Sequence, residues 1–281
     1  MEWNDSPCVT DVPPEQALLV IDMQGYSKIP ESKMVAARSN VDDILDCALA
    51  HAGLKLPRED DGAYMDTGDG VILAFAPHVL ARLIDPLLGE LNVGLMRHER
   101  HRISGAPLVR LRASVHVGPL SLPDRRGDAI NEACRLVSCQ AVYRGLAAAA
   151  EGHGHLAAVI SETVYRRAVA AGRTPHLGAQ HFLPTEARVE GKPDFAEPCR
   201  IHVPGLTALG LRPYISDDDV RPRESSDRTE FLPDFPLSAQ KSDVSGQGAG
   251  KDAVTFKFLS ELHQPTIVGE IKRLRIDQRK G

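Results

Sequence analysis

Apolar and polar positions change period several times along this chain. The run Ala17–Ile21 is short, apolar and rich in branched side chains, and it ends on Asp22; the pattern is that of a buried strand. From Glu31 to Gly53, Met34, Val35, Val41, Ile44, Leu45, Ala48 and Leu49 recur at helical spacing before a glycine stop. "YMDTGDGVILAF" reads as two strands around a tight Gly68-Asp69-Gly70 turn. Helical period returns over 78–102, strand alternation over 107–118, and one helix over 127–150. A strand over 156–161, a short helix from Glu162 and strands near 187–191 and 199–204 complete the order. Strand, helix, hairpin, helix, strand, helix, strand predicts an α+β fold: a mixed sheet with helices on one face.

The period fails after Gly210. "SDDDVRPRESSDRTE" and "SAQKSDVSGQGAGKD" are polar and offer no packing face, so 216–252 reads as a disordered linker. Apolar character returns in 253–281, too short a stretch to build its own core, which reads as a docking segment. The expected organisation is an extension over 1–14, a main domain over 15–210, the linker and this final segment.

Bulk chemistry narrows the class. A hydrophobic content of 42% with 25% charged residues is that of a soluble globular protein. The net charge of −5 gives no electrostatic reason to expect a nucleic-acid partner. Five irregularly spaced cysteines argue against a disulfide framework and for a reducing compartment. No apolar run approaches the roughly 20 residues that span a bilayer. The acidic, polar N-terminus is unlike a signal peptide, so a cytoplasmic protein is the expectation.

Asp22, at the end of a buried strand, sits where chemistry is usually placed. "ALLVIDMQ" is similar to the opening of isochorismatase-like cysteine hydrolases, with Cys134 or Cys139 as nucleophile. That family would need a mid-chain lysine, and none lies between Lys55 and Lys192. A second resemblance extends over most of residues 15–205. "IDMQGYS", "DTGDGVILAF" and "LRASVHVGPLSLPDRRGDAINEACRL", in that order, resemble the motifs of class III nucleotidyl cyclases.

The cyclase resemblance implies a ferredoxin-like βαββαβ core and a reaction in which a ribose 3′-hydroxyl attacks its own α-phosphate, releasing pyrophosphate. It implies two Mg²⁺ or Mn²⁺ ions per site, with Asp22, Met23 and Asp69 as the metal set. Hard cations favour carboxylate oxygens, and Asp22 and Asp69 can supply that pair if their strands are neighbours. Gly25 lets the loop come close to the phosphates, so that amides from Met23 to Tyr26 can donate to them. Asn131 and Arg135 lie one helical turn apart on a common face. By resemblance Asn131 orients the ribose and Arg135 stabilises the phosphoryl charge. The two pairs come from different protomers in the family, implying a head-to-tail homodimer with shared sites.

The base-reading positions depart from the family. Adenine-specific cyclases have a lysine where this chain has Met65 and an aspartate where it has Asp124; guanine-specific ones would have glutamate at 65. Met65 cannot donate to a ring nitrogen, whereas Asp124 can accept from an amino group or a ring N–H. Tyr64 and Met65 are bulky, which suits a small ring. This mixture is similar to the bacterial pyrimidine cyclases of the Pycsar antiphage system. The resemblance implies UTP, then CTP, as substrate, a cyclic product read by a separate effector and a viral activating signal; ATP is the alternative. A catalytically inactive nucleotide-binding domain is a further alternative, although Asp22, Asp69, Asn131 and Arg135 are all present. The pair His98 and His101 reads as a charged helix end.

Overall fold

The computed structural model describes residues 11–215. The expected linker and C-terminal segment, Cys8 and residues 1–10 of the N-terminal extension lie outside the described residues.

Strand β1 (Glu15–Met23) organises the sheet. It pairs antiparallel with β3 (Gly70–Phe75) on one side and with β4 (Leu111–Pro119) on the other. The edge strand β2 (Tyr64–Asp66) pairs antiparallel with β3. Beyond β4 lie β5 (Leu156–Ser161), β7 (Lys192–His202) and β6 (Leu183–Val189), so the order is β2-β3-β1-β4-β5-β7-β6. Among the described residues only β4 and β5 run parallel, which makes the sheet mixed.

Helix α1 (Glu31–His51) links β1 to β2, and α2 (Leu87–His101) links β3 to β4. In each case one antiparallel strand lies between the two linked strands. This interleaving of two split βαβ units is the ferredoxin-like βαββαβ core that the motifs implied.

Strand alternation divides the packing between two faces. Ala17, Leu19, Ile21 and Met23 join α1 and α2 in one cluster. Leu18 and Val20 face the other way, onto Ala129, Ile130, Ala133 and Val137 of α3 (Asp128–Val137). The helices therefore cover both faces, which corrects the one-face expectation. β1 is apolar at successive positions because both its faces are buried. The helix α5 (Glu162–Ala168) lies on the α1/α2 side. Helix α4 (Gln140–Glu151) packs with β5 and β7 through Ala157, Val159 and Ile201.

Two long helical stretches are interrupted. The 127–150 stretch breaks at Ser138–Cys139, where Cys139 takes an extended conformation (ψ 151°). The break lets α3 pack against β4 and β1 while α4 packs against β5 and β7. The 78–102 stretch is a 3-10 segment, Pro77–Leu83, followed by α2 after Pro86, which has no N–H to continue a helix. The short strands expected near 187–191 and 199–204 belong to one longer hairpin, β6–β7, turning at Glu190–Gly191.

Candidate active site

Register brings the two sequence-selected aspartates together. Asp22 stands opposite Gly70 on β3, so Asp69 is next to it at the hairpin tip. The Met23 amide donates to the Asp69 carbonyl at 3.0 Å and closes the two strand ends onto each other. Gly70 is required by this closeness, since a Cβ there would lie 1.9 Å from the Ile21 carbonyl oxygen. Side chains shape the turn itself. The Gly68 amide donates to Asp66 Oδ1 at 2.6 Å, and Thr67 Oγ1 donates to Asp69 Oδ1 at 3.3 Å. From α1, the buried Arg38 donates to the Gly70 carbonyl at 3.2 Å and pairs with Asp66 at 3.5 Å and with Asp42. The hairpin is thus fixed to the helix behind it.

On its other side Asp22 stands opposite Arg112 of β4. Arg112 Nε donates to Asp22 Oδ2 at 2.9 Å, and Nη2 donates to the same oxygen. Oδ1 stays outside this ion pair. The guanidinium stacks over the Tyr143 ring of α4, 3.8 Å from its centroid, and its Nη1 is buried without a partner among the described residues. Burial pushes the Asp22 carboxyl up to about 6, against the pull of Arg112 and aided by the Asp69 charge.

Sequence reasoning missed Arg112 and Tyr143. A signal existed for the first: Arg112, Ser114 and His116 place a polar side chain at every second position of an otherwise apolar strand. Ser114 Oγ donates to the Ala133 carbonyl at 2.7 Å, and His116 Nε2 meets Glu132 at 3.0 Å, so this polar stripe lies beneath α3.

The donor set fits a hard divalent cation. Two neighbouring carboxylates, one raised by burial and by its neighbour's charge, are stabilised by added positive charge. Among the described residues no cluster of three or more His, Cys, Asp or Glu could hold a metal, so further ligands would come from phosphate oxygens and water. Met23 can contribute only its backbone, because its side chain is buried in the α1/α2 core.

The loop after β1 turns at Gly25, whose φ of +70° favours glycine. The Met23 and Gln24 amides are taken by the Asp69 and Arg110 carbonyls, so neither is available to a phosphate. The amides of Tyr26 and Ser27 open the short 3-10 turn Tyr26–Lys28, where helical turns leave donors free. The Tyr26 ring packs against the α1/α2 core.

The two bulky residues of β2 point to opposite faces. Tyr64 packs against the α1 side, with Asp42 and Leu45 across a small cleft. Met65 lies on the α3 face with Ala63, Leu122 and Cys134, the face that carries Asp22. Asp124 is exposed on the tight loop between β4 and α3. Met65 and that loop adjoin α3, the helix of Asn131 and Arg135. Those two side chains are half-buried, and the Arg135 guanidinium lies 5.2 Å from the Phe195 ring of β7. Among the described residues no hydrogen bond or ion pair joins Asn131 or Arg135 to Asp22 or Asp69 within one chain.

The cysteines do not support the hydrolase reading. Burial pushes the Cys134 thiol up to about 11, the reverse of what an activated nucleophile needs, and Cys139 is buried at the helix break.

No protein-family model matches the sequence, and no curated protein matches it significantly. Solved structures do resemble the chain. An adenylate/guanylate cyclase/hydrolase from Silicibacter pomeroyi is 21% identical, with 68% of this chain and 98% of that one covered and a TM-score of 0.45. A bacterial light-regulated adenylyl cyclase is 16% identical over 74% of this chain and 60% of its own, with a TM-score of 0.48. The guanylate cyclase domain of RhGC from Catenaria anguillulae, in complex with GTP, is 13% identical over 69% and 98%, with a TM-score of 0.42.

Proposed function

We propose that this protein is a nucleotidyl cyclase that converts a nucleoside triphosphate to a 3′,5′-cyclic mononucleotide and pyrophosphate. The observation that carries the reading is the register that sets Asp22 beside Asp69, with the Asp22 carboxyl raised to about 6. Asp22 and Asp69 would hold two Mg²⁺ or Mn²⁺ ions. When bound, these cations lower the pKa of the attacking hydroxyl and neutralise charge on the leaving oxygens.

The remaining steps belong to the chain's own side chains and backbone amides. Arg112 fixes the rotamer of Asp22 through Oδ2 and leaves Oδ1 for coordination. Its own position is fixed by Tyr143, so the carboxylate does not reorganise during turnover. The Tyr26 and Ser27 amides, at the open end of the 3-10 turn, donate to the triphosphate. Asn131 orients the ribose, and Arg135 binds the phosphates and stabilises the charge that develops on them. By resemblance to the class III cyclases, the Asn131/Arg135 half-site of one protomer meets the Asp22/Asp69 half-site of the other in a head-to-tail homodimer.

Base recognition falls to Met65 and Asp124, with Tyr64 excluded by its orientation. Met65, on the same apolar cluster as Leu122 and Cys134, lies on an apolar floor with no strong side-chain donor, which suits a pyrimidine, UTP before CTP. Asp124 can equally accept from the adenine amino group, and that keeps ATP as the second reading. By resemblance to the Pycsar cyclases the product is a messenger for a separate effector in antiphage defence, and the cytoplasm is the compartment that role requires. No helix among the described residues is long and apolar enough to cross a membrane.

Calorimetry with α,β-methylene analogues of UTP, CTP, ATP and GTP, in the presence and absence of Mn²⁺, tests the reading. Mn²⁺-dependent binding of one pyrimidine analogue, lost in Asp22→Asn and Asp69→Asn, is the expected result. Binding that ignores Mn²⁺ or survives both substitutions contradicts it.

A further inference from the structure

We infer that Arg125 is a positioning residue for base selection, a strap that ties the Asp124 loop to the edge strand of the sheet; the inference rests on the cyclase reading above. The loop leaves β4 at Pro119 and closes on itself through the Ser121–Arg126 bridge. To reach β2 it must pass the ends of β1 and β3, and two contacts show that it does. Leu122 packs on the same apolar cluster as Ala63 and Met65. Pro123 presses on Gly62 so closely that a Cβ at Gly62 would lie 2.4 Å from Pro123 Cα.

Arg125 fixes this arrival. Its Nε donates to the Gly62 carbonyl at 2.8 Å and its Nη2 to the Tyr64 carbonyl at 2.5 Å. Ala63 O accepts from Ala74 N, and Met65 stands opposite Ile72, so the odd-numbered positions of this segment face β3. The carbonyls of Gly62 and Tyr64, two residues apart, therefore point to the free edge. An exposed edge leaves such carbonyls unpaired, and a planar guanidinium fork matches their spacing as a lysine ammonium would not.

The backbone carries the cost of this arrangement. Arg125 has φ +55°, a left-handed conformation rare for an arginine. Such a conformation persists where surrounding contacts over-determine it, and here the two carbonyl bonds do so. Asp124 precedes Arg125 directly, so the strap sets where its carboxylate stands relative to β2. Loss of the strap frees the acceptor while the Asp22–Asp69 end of the hairpin, held separately by Arg38, is left intact.

The test compares kcat/KM for UTP, CTP, ATP and GTP in wild type, Arg125→Ala and Arg125→Lys. Discrimination between the best and the next nucleotide is expected to fall about 10-fold in Arg125→Ala and less in Arg125→Lys. KM for the best nucleotide rises, while the half-saturating Mn²⁺ concentration is unchanged. Hydrogen exchange should quicken in 60–66 and 120–127 and nowhere else. A selective wild type with an equally selective Arg125→Ala overturns this inference alone. So does a uniform loss of activity on all four nucleotides with discrimination kept, which is the mark of a merely structural residue. A wild type that turns over none of the four overturns the cyclase reading itself, and the inference falls with it.

Discussion

Asp22 and Arg112 face each other across the β1–β4 pair, and two nitrogens of the guanidinium converge on the single oxygen Oδ2. The other carboxylate oxygen takes no part in this ion pair. This is an ion pair arranged around a free ligand atom, and it makes the site sensitive to protons and cations in opposite senses.

In the cation-free protein the folded chain holds the Asp22 proton more tightly than the unfolded chain, about 6 against the ordinary 3.8. The stability this contributes is present below about pH 4 and lost as pH rises through 6, up to about 3 kcal/mol. Denaturation in EDTA from pH 4 to 8 should show that trend as the difference between wild type and Asp22→Asn. Mn²⁺ competes with the same proton, so its apparent affinity should fall about 10-fold per pH unit below 6.

Gly70 is where the two aspartate strands come closest. Gly70→Ala would drive its Cβ into the Ile21 carbonyl and push β3 from β1. A loss of about 3 kcal/mol or more in urea denaturation is expected, together with loss of Mn²⁺ binding. Gly68→Ala, where a Cβ would meet nothing within 4 Å, is strained only by its positive φ and should cost about 1 kcal/mol.

Burial pushes two histidines down to about 4: His116 under α3, and His202, whose Nδ1 lies 3.0 Å from the His181 carbonyl and whose ring stacks on Phe182. The sign is opposite to that of Asp22. Each contributes stability that is present above pH 6.5 and is lost as pH falls through 4, up to about 3 kcal/mol. His202→Asn keeps a donor for His181 and removes the titration. It should therefore flatten the acid limb of the stability profile relative to wild type.

If the half-sites meet across a dimer, Asp22→Asn and Arg135→Ala protomers complement each other. Each is inactive alone, but an equal mixture forms heterodimers with one intact centre, and about a quarter of wild-type activity should return. No recovery after subunit exchange would place all four residues in one chain.

Much of this architecture is legible in the amino-acid sequence. Strand β1, the Gly68–Gly70 turn and β5 follow from local pattern and turn chemistry, and Asp22 and Asp69 stand out because one lies at a strand end and the other in a tight turn. Their adjacency is not legible, since it depends on which strand pairs with β1. The same gap hides Arg112, whose partner lies 90 residues away in sequence. The helix break at Cys139 is hidden because helical period continues through it, and only the two separate cores force the turn. Tyr64 and Met65 read as one bulky pair along the chain, though strand alternation sends neighbours to opposite faces.

The most direct measurement is product analysis by mass after incubating wild type and Asp69→Ala with UTP, CTP, ATP or GTP and Mn²⁺. A 3′,5′-cyclic pyrimidine mononucleotide with equimolar pyrophosphate is expected from wild type, and activity at least about 100-fold lower from Asp69→Ala. A cyclic product formed equally well by Asp69→Ala, or none from the wild type with any of the four nucleotides, would contradict the cyclase reading.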